Sequence, residues 1–176
     1  MLKTFKSFGI LLTIALASMT QSAQAAVCEK PLDVVLNTLN CVSKGVEDAV
    51  CAGAGYAADF KKLHNRVDTN TVISGPEFWA GAFAILDLTL DVNHAVQVGP
   101  DLVEVRYVET VEVGGLKDFG FVYKTIYQHE HALVTVNGDC KMTLWDQYGD
   151  NKEQSDVDVA VAEFIEIISN PAPAAK

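Results

Sequence analysis

Residues 119–148, FGFVYKTIYQHEHALVTVNGDCKMTLWDQY, are the stretch whose reading decides the fold. Asn137-Gly138 is a strong hairpin signal, because both central residues of a type I′ turn need positive φ. A two-residue loop there sets Val136 against Asp139, Leu133 against Met142, His131 against Leu144, His129 against Asp146 and Tyr127 against Tyr148. Side chains alternate with period two. Phe119, Phe121, Tyr123, Thr125, Tyr127, His129, His131 and Leu133 therefore share a face with Cys140, Met142, Leu144 and Asp146. That face is aromatic and carries a few titratable groups, so we read it as the wall of a pocket.

Upstream of the hairpin the period is also two. His94, Val96 and Val98 lead to a Gly99-Pro100-Asp101 turn, and Val103, Val105, Tyr107, Val111 and Val113 continue an apolar face beyond it. Glu109 falls on that inward parity, where burial raises a carboxyl pKa. Glu104, Arg106 and Glu112 form the opposite, solvated face with cross-strand charge pairs. Gly114-Gly115 turns the chain into the long hairpin.

Before residue 91 the spacing is helical. Pro31 opens a helix over 31–44 with Leu32, Val35, Leu36 and Leu39 on one stripe, and Gly45 stops it. A longer helix is predicted over 46–65, with Val46, Ala49, Val50, Gly53, Tyr56, Ala57, Phe60 and Leu63 on its apolar face. Gly53 and Gly55 cost helix stability, so backbone should pack closely against them. Their G-x-G spacing follows no strand and is not a nucleotide motif. Ser74 and Glu77 form a capping box, with Pro76 in the first turn of a largely buried helix over 75–86. After Tyr148, Ser155 caps an amphipathic helix bearing Val157, Ala160, Val161, Phe164, Ile165 and Ile168, and Asn170-Pro171 ends it before a disordered tail at 170–176.

The N-terminus reads as a secretory signal peptide over 1–25: Lys3 and Lys6 precede an apolar run at 8–17, and Ala23-Gln24-Ala25 is a small-x-small cleavage site. Residues 26–169 then form a single domain. The apolar run falls short of the roughly 20 residues that a membrane span needs. With the leader gone, 11 basic face 23 acidic side chains, a formal charge of −12. Nucleic acid and anionic membranes repel a chain of that sign, and neither is expected as a partner. Four cysteines, Cys28, Cys41, Cys51 and Cys140, fit disulfides in a periplasmic or secreted protein. Of the three connectivities we favour Cys28 with Cys51 or Cys41, which leaves Cys140 on the inner face of the hairpin. No two cysteines have the close spacing of a structural zinc site.

Helices followed by antiparallel strands of increasing length make an α+β pattern. The helix carrying Tyr56-Ala-Ala-Asp59-Phe60, the Ser74-Gly75-Pro76-Glu77 helix start, and the strand from His94 to Tyr107 followed by two long strands resemble a SnoaL-like member of the NTF2-like superfamily. The likeness runs over residues 46–148. It implies an NTF2-like cone: a strongly curved antiparallel sheet packed on N-terminal helices, here with an extra C-terminal amphipathic helix, and often a homodimer through the outer sheet face. Members include ketosteroid isomerases, scytalone dehydratase-like enzymes, polyketide cyclases and binding-only proteins. Tyr56 and Asp59 stand where dehydratase-like members place a Tyr and an Asp, and His94 resembles the histidine that opens the strand after the third helix. The inward Asp of the isomerases has no clear counterpart, although Glu109 could take its place.

These readings place a catalytic group at His129, Asp146 and Glu109, with the Asp146 carboxylate holding the His129 ring in one tautomer as a general base. Tyr56, Asp59, Trp79, His94, Tyr107, Tyr123, Tyr127, His131, Met142 and Leu144 are expected to line the pocket. His129 and His131 also have the H-x-H form of a metal-binding strand, but structural roles suffice for both, and neither metal nor cofactor is expected. Two functions remain. One is an exported module that binds a small apolar or cyclic molecule; the other is a cofactor-free lyase or isomerase acting on a cyclic or polyketide-like substrate. The binding role is preferred, since catalysis requires the inferred register to hold.

Overall fold

The computed structural model describes residues 27–43, 48–69, 75–114 and 122–170. The signal segment, Ser74, Phe119, Phe121 and the tail from 171 lie outside the described residues. The elements in chain order are α1 (Pro31–Val42), α2 (Ala49–Ala54), β1 (Tyr56–His64), β2 (Val67–Asp68), α3 (Pro76–Phe83), β3 (Leu86–Gln97), β4 (Leu102–Val113), β5 (Lys124–Val136), β6 (Met142–Tyr148) and α4 (Asn151–Ser169).

The six strands form one curved sheet in the order β2-β1-β6-β5-β4-β3. All neighbours are antiparallel except β1 and β6, which run parallel. The β3–β4 hairpin turns at Gly99-Pro100-Asp101 as expected, with Leu102 O accepting from the amides of Val98 and Gly99. A register shift in β3 between Val92 and His94 sends Val92 and Ala95 inward and leaves His94 exposed. Such bulges add local twist and bend a sheet.

The helix predicted over 46–65 is a correction. Only α2 is helical, and from Tyr56 the chain is strand β1. Glycine is a poor helix former, and at Gly55 the chain leaves the helix: its carbonyl accepts from Met142 N at 2.8 Å and feeds β1 into a ladder with β6. The expected close approach at Gly53 is present: a Cβ there would lie 2.6 Å from the Gly75 carbonyl carbon. Gly53 thus lets α2 abut the start of α3. The tight I′ turn of the sheet lies between β1 and β2, where Asn65 and Arg66 take φ of 51° and 67°. At the other end of the sheet, α4 starts earlier than Ser155, because the Asp150 side chain accepts from Lys152 N at 2.7 Å as its N-cap.

Residues 137–141 form the β5–β6 loop, which is longer than two residues. The Asn137 side chain accepts from the amides of Asp139 and Lys141, and Cys140 adopts φ 55°. The ladder therefore slides by four residues: His131 faces Tyr148, Leu133 faces Asp146 and Thr135 faces Leu144. Leu144 and Asp146 stay on the face of His131 and Leu133, but that face is the outer one, and a register shift between Thr135 and Val136 sets Met142 beside Val136 on the buried side. Ile126, Gln128, Glu130, Ala132, Val134 and Val136 of β5 are buried, while Tyr127 is 58% exposed.

Two apolar clusters fill the concave side. One joins α1 to the sheet through Val35, Leu39, Phe60, Val103, Val105, Val134, Met142 and Trp145. The other gathers Val42, Ala52, Trp79, Phe83, Val111, Ile126, Ala160 and Phe164 beneath α2, α3 and α4. Ile165 and Ile168, expected on the buried stripe of α4, are exposed.

The disulfides also correct the favoured pairing. Cys28 bonds Cys140 with Cα atoms 5.1 Å apart, and Cys41 bonds Cys51 at 5.5 Å. Cys28 lies in the α1 cluster beside Met142, directly under the β5–β6 loop. Loop-closure entropy predicts about 4.7 kcal/mol of stabilisation for the separation of 112 residues and about 2.7 kcal/mol for that of 10. Replacing Cys28 and Cys140 together by alanine should therefore lower the Tm more than replacing Cys41 and Cys51, as read by calorimetry of the oxidised protein.

Candidate functional site

A cavity of about 860 Å³ opens on the concave side of the sheet. Its apolar wall comes from Phe78, Trp79 and Ala82 of α3, Leu86 and Leu88 of β3, Val111 of β4 and Val157 of α4. Glu109 and Gln128 stand on its sheet side, with Lys62, His64, Asn65, Asn151, Gln154 and Asp158 toward β1 and α4. A second space of about 60 Å³ continues past Trp79, Lys62 and Glu109 to Tyr56, Tyr107, Trp145 and Gln147.

Strand pairing explains this polar row. In the β4–β5 ladder Glu109 faces Gln128 and Tyr107 faces Glu130, so four polar side chains of inward parity meet on two adjacent strands. Gln147 joins them from β6, paired with Ala132. Lys62 arrives from β1, on the same parity as the buried Phe60.

Burial sets the electrostatics. The Glu109 carboxyl is half-buried on the cavity wall, and desolvation raises its pKa against the opposing pull of Lys62. Glu130 is 4% exposed. Desolvation pushes it up to about 7, with the charge of Glu109 adding to the rise while a hydrogen bond from Gln147 and the charge of Lys62 oppose it. Its Oε2 has no hydrogen-bond partner among the described residues, and a Cβ at Gly149 would collide with the carboxyl. Burial also raises the phenols of Tyr56 and Tyr107, with Glu109 adding to both shifts.

Helix α4 closes the cavity through its first turns. Asn151 Oδ1 accepts from Asn65 Nδ2 at 2.7 Å and from His64 Nε2 at 3.1 Å, tying the helix start to the β1–β2 turn. Glu153 accepts from the backbone N–H of His129 at 2.9 Å. That edge of β5 lies beyond the end of the β6 ladder, and the carboxylate supplies the acceptor that a strand would have given.

The expected site residues separate into two groups. Glu109 and Trp79 line the large cavity, and Tyr56 and Tyr107 line the small one. The His129–Asp146 contact is absent: the His129 side chain is 70% exposed and its Nδ1 lies 3.3 Å from Glu153, because the ladder slid and its face turned outward. Asp146 accepts from Tyr148 Oη at 2.6 Å, and Arg66 Nε donates to the same hydroxyl, in an outer network. His131 stacks on Tyr148 and lies 3.3 Å from Glu104, also on the outer face. His94 and Asp59 are exposed, Tyr127 points outward, Leu144 shares the outward parity of Asp146, and Met142 is fully buried beside Cys28. Tyr123 packs on Phe164 and donates to Glu163. Among the described residues no three His, Cys, Asp or Glu gather as they would around a metal ion. Lys62, Gln128, Glu130 and Gln147 were missed. Their signal was an even-numbered polar pair, Gln128 and Glu130, on the parity of Ile126, Ala132 and Val134.

No family profile matches the chain, and no curated protein does. Solved structures do match. A LEH-like epoxide hydrolase of Mycobacterium tuberculosis superimposes with TM-score 0.53 at 14% identity, over 81% of this chain and 97% of that one. A structure from Shewanella denitrificans, named as a SnoaL-like polyketide cyclase, gives 0.54 at 14% identity over 73% and 96%. The epoxide hydrolase/cyclase-like enzyme SalBIII, of polyether salinomycin pyran-ring formation, gives 0.53 at 11% over 70% and 93%. At these identities the likeness shows a shared fold, and that fold is NTF2-like.

Glu130 makes the stability of the fold sensitive to pH. Its folded pKa is raised above the ordinary carboxylate value, so the folded state holds the proton more tightly than the unfolded chain. The stability it contributes is full at acid pH and is lost as pH rises through about 7. Glu130→Gln should flatten this decline, raising the Tm by about 3–6 °C at pH 8 and much less at pH 5, as measured by thermal melts.

Proposed function

We propose that this NTF2-like chain is an exported module that binds one small, largely apolar molecule in the cavity behind α3 and α4. The observation that carries the reading is the cavity itself: about 860 Å³, walled by Phe78, Trp79, Leu86, Leu88, Val111 and Val157, with Glu109 and Gln128 set into the sheet side. Ligand sites in folded proteins combine apolar walls with a few converging polar groups in this way. Export is supported by the leader-like sequence of residues 1–25 and by two disulfides, which fit an oxidising compartment. Among the described residues no helix is long and apolar enough to cross a membrane.

The raised pKa of Glu109 favours a second reading, cofactor-free acid-base chemistry. A carboxyl whose pKa is raised by desolvation holds its proton more readily: protonated it can donate a hydrogen bond or a proton to a ligand oxygen, and ionised it can take a proton from carbon. Lys62, on the same cavity, would stabilise negative charge developing on that oxygen. Both readings share one pocket and differ in whether bonds change.

Filling the cavity tests the first reading. Ala82→Trp, on the α3 wall, should abolish binding of a neutral apolar dye such as Nile red while circular dichroism and Tm stay close to those of the parent. Dye binding that survives the substitution places the ligand elsewhere. Glu109→Gln separates the two readings: retained ligand affinity with turnover reduced by about 100-fold or more marks an enzyme, and an unchanged ligand in both proteins marks a binder.

A further inference from the structure

Two buried nitrogen atoms on side chains that line the large cavity, and a lysine on the same cavity, lack an acceptor among the described residues. Trp79 is 7% exposed and Gln128 is 3% exposed, and neither the indole Nε1 nor the amide Nε2 has a hydrogen-bond acceptor among the described residues. Both side chains line the cavity. Lys62 lines it too, and among the described residues no carboxylate lies within ion-pair distance of its Nζ. Native proteins leave few buried N–H donors unpaired, because each costs the desolvation of a polar group without return. Two such donors and an unpaired cation on one cavity are a set of hydrogen bonds that only an acceptor can complete.

We infer that the ligand is a small apolar molecule bearing a carboxylate, whose oxygens are received by Trp79, Gln128 and Lys62. The inference rests on the binding reading above and narrows it to one ligand class. An alcohol or an amine brings donors of its own to a place already rich in donors. A carboxylate brings acceptors alone, and charge-assisted bonds to Lys62 are the stronger kind.

The remaining polar groups on the cavity are compatible with an anion. Glu109, on the strand beside Gln128, has its carboxyl pKa raised by burial, which weakens its opposition to an anion. Asp158 lines the cavity from α4. His64 Nε2 donates to Asn151 Oδ1, and its buried Nδ1 has no hydrogen-bond partner among the described residues. Phe78, packed edge-to-face on Trp79 and lining the same cavity with Leu86, Leu88 and Val111, supplies the surface for the apolar part of the ligand.

Three probes with one skeleton test the inference: naphthaleneacetate, naphthaleneethanol and naphthaleneethylamine, titrated calorimetrically into the oxidised protein. The carboxylate should bind at least about tenfold tighter than the alcohol or the amine. Lys62→Met should remove that advantage by lowering the affinity for the carboxylate far more than that for the alcohol, and Gln128→Leu should lower the carboxylate affinity without altering the fold seen by circular dichroism. Equal affinity for carboxylate and alcohol, or a preference for the amine, overturns the ligand class and leaves the pocket reading standing. Failure of all three probes together with Nile red overturns both.

Discussion

The pairing of β4 with β5 is the constraint from which the rest of the molecule follows. Its register runs without a break from Leu102 opposite Thr135 to Val113 opposite Lys124. With period-two alternation, that one register puts Glu109 beside Gln128 and Tyr107 beside Glu130 on the concave face. It also sends Arg106, His129 and His131 to the convex face. A slip of one residue would exchange the two sets and bury the histidines in place of the acids.

The rest of the architecture accommodates this polar row. An apolar layer packed directly on it would strand several polar groups without partners, at a cost of about 1–3 kcal/mol each. The chain instead fills the two ends of the concave face, with α1 over one cluster and α2, α3 and α4 over the other, and leaves a cavity where the polar groups emerge. Helix α4 is held over that cavity by polar contacts with the β1–β2 turn and with the open edge of β5. Glu130 lies buried against Gly149, where β6 passes into α4, and its pKa is raised there by desolvation.

The aromatic hairpin face and the polar cavity row have exchanged the roles that hydropathy suggests. Tyr127, His129 and His131 look like a pocket wall because aromatic and titratable residues concentrate there, yet they lie outside, partnered by Glu153, Glu104 and Tyr148 or left to solvent. The inner parity of β5 is interrupted by Gln128 and Glu130, and in a pattern of alternation such residues read as solvent-facing. Functional surfaces are where local patterning and global fold disagree. Glu109 was legible because it interrupts a run of valines that is otherwise unambiguous on β4; Gln128 and Glu130 were not, because both faces of β5 are mixed.

By itself the sequence determined the α+β class, the β3–β4 hairpin with its turn at Gly99-Pro100-Asp101, the inward parity of β4 with Glu109 on it, the helical stripe of Val157, Ala160 and Phe164, and cysteines that suit an oxidising compartment. Each of these rests on short-range periodicity or on composition. Only the tertiary structure decided that Tyr56 begins a strand, that Cys28 reaches Cys140 across 112 residues, that Asn137 folds its side chain into a longer loop, and which face of β5 is buried. In every such case the short-range pattern admits more than one arrangement. The choice fell to a partner distant in sequence: the open edge of β6 for β1, the α1 cluster for Cys140, and the valine face of β4 for the inner row of β5.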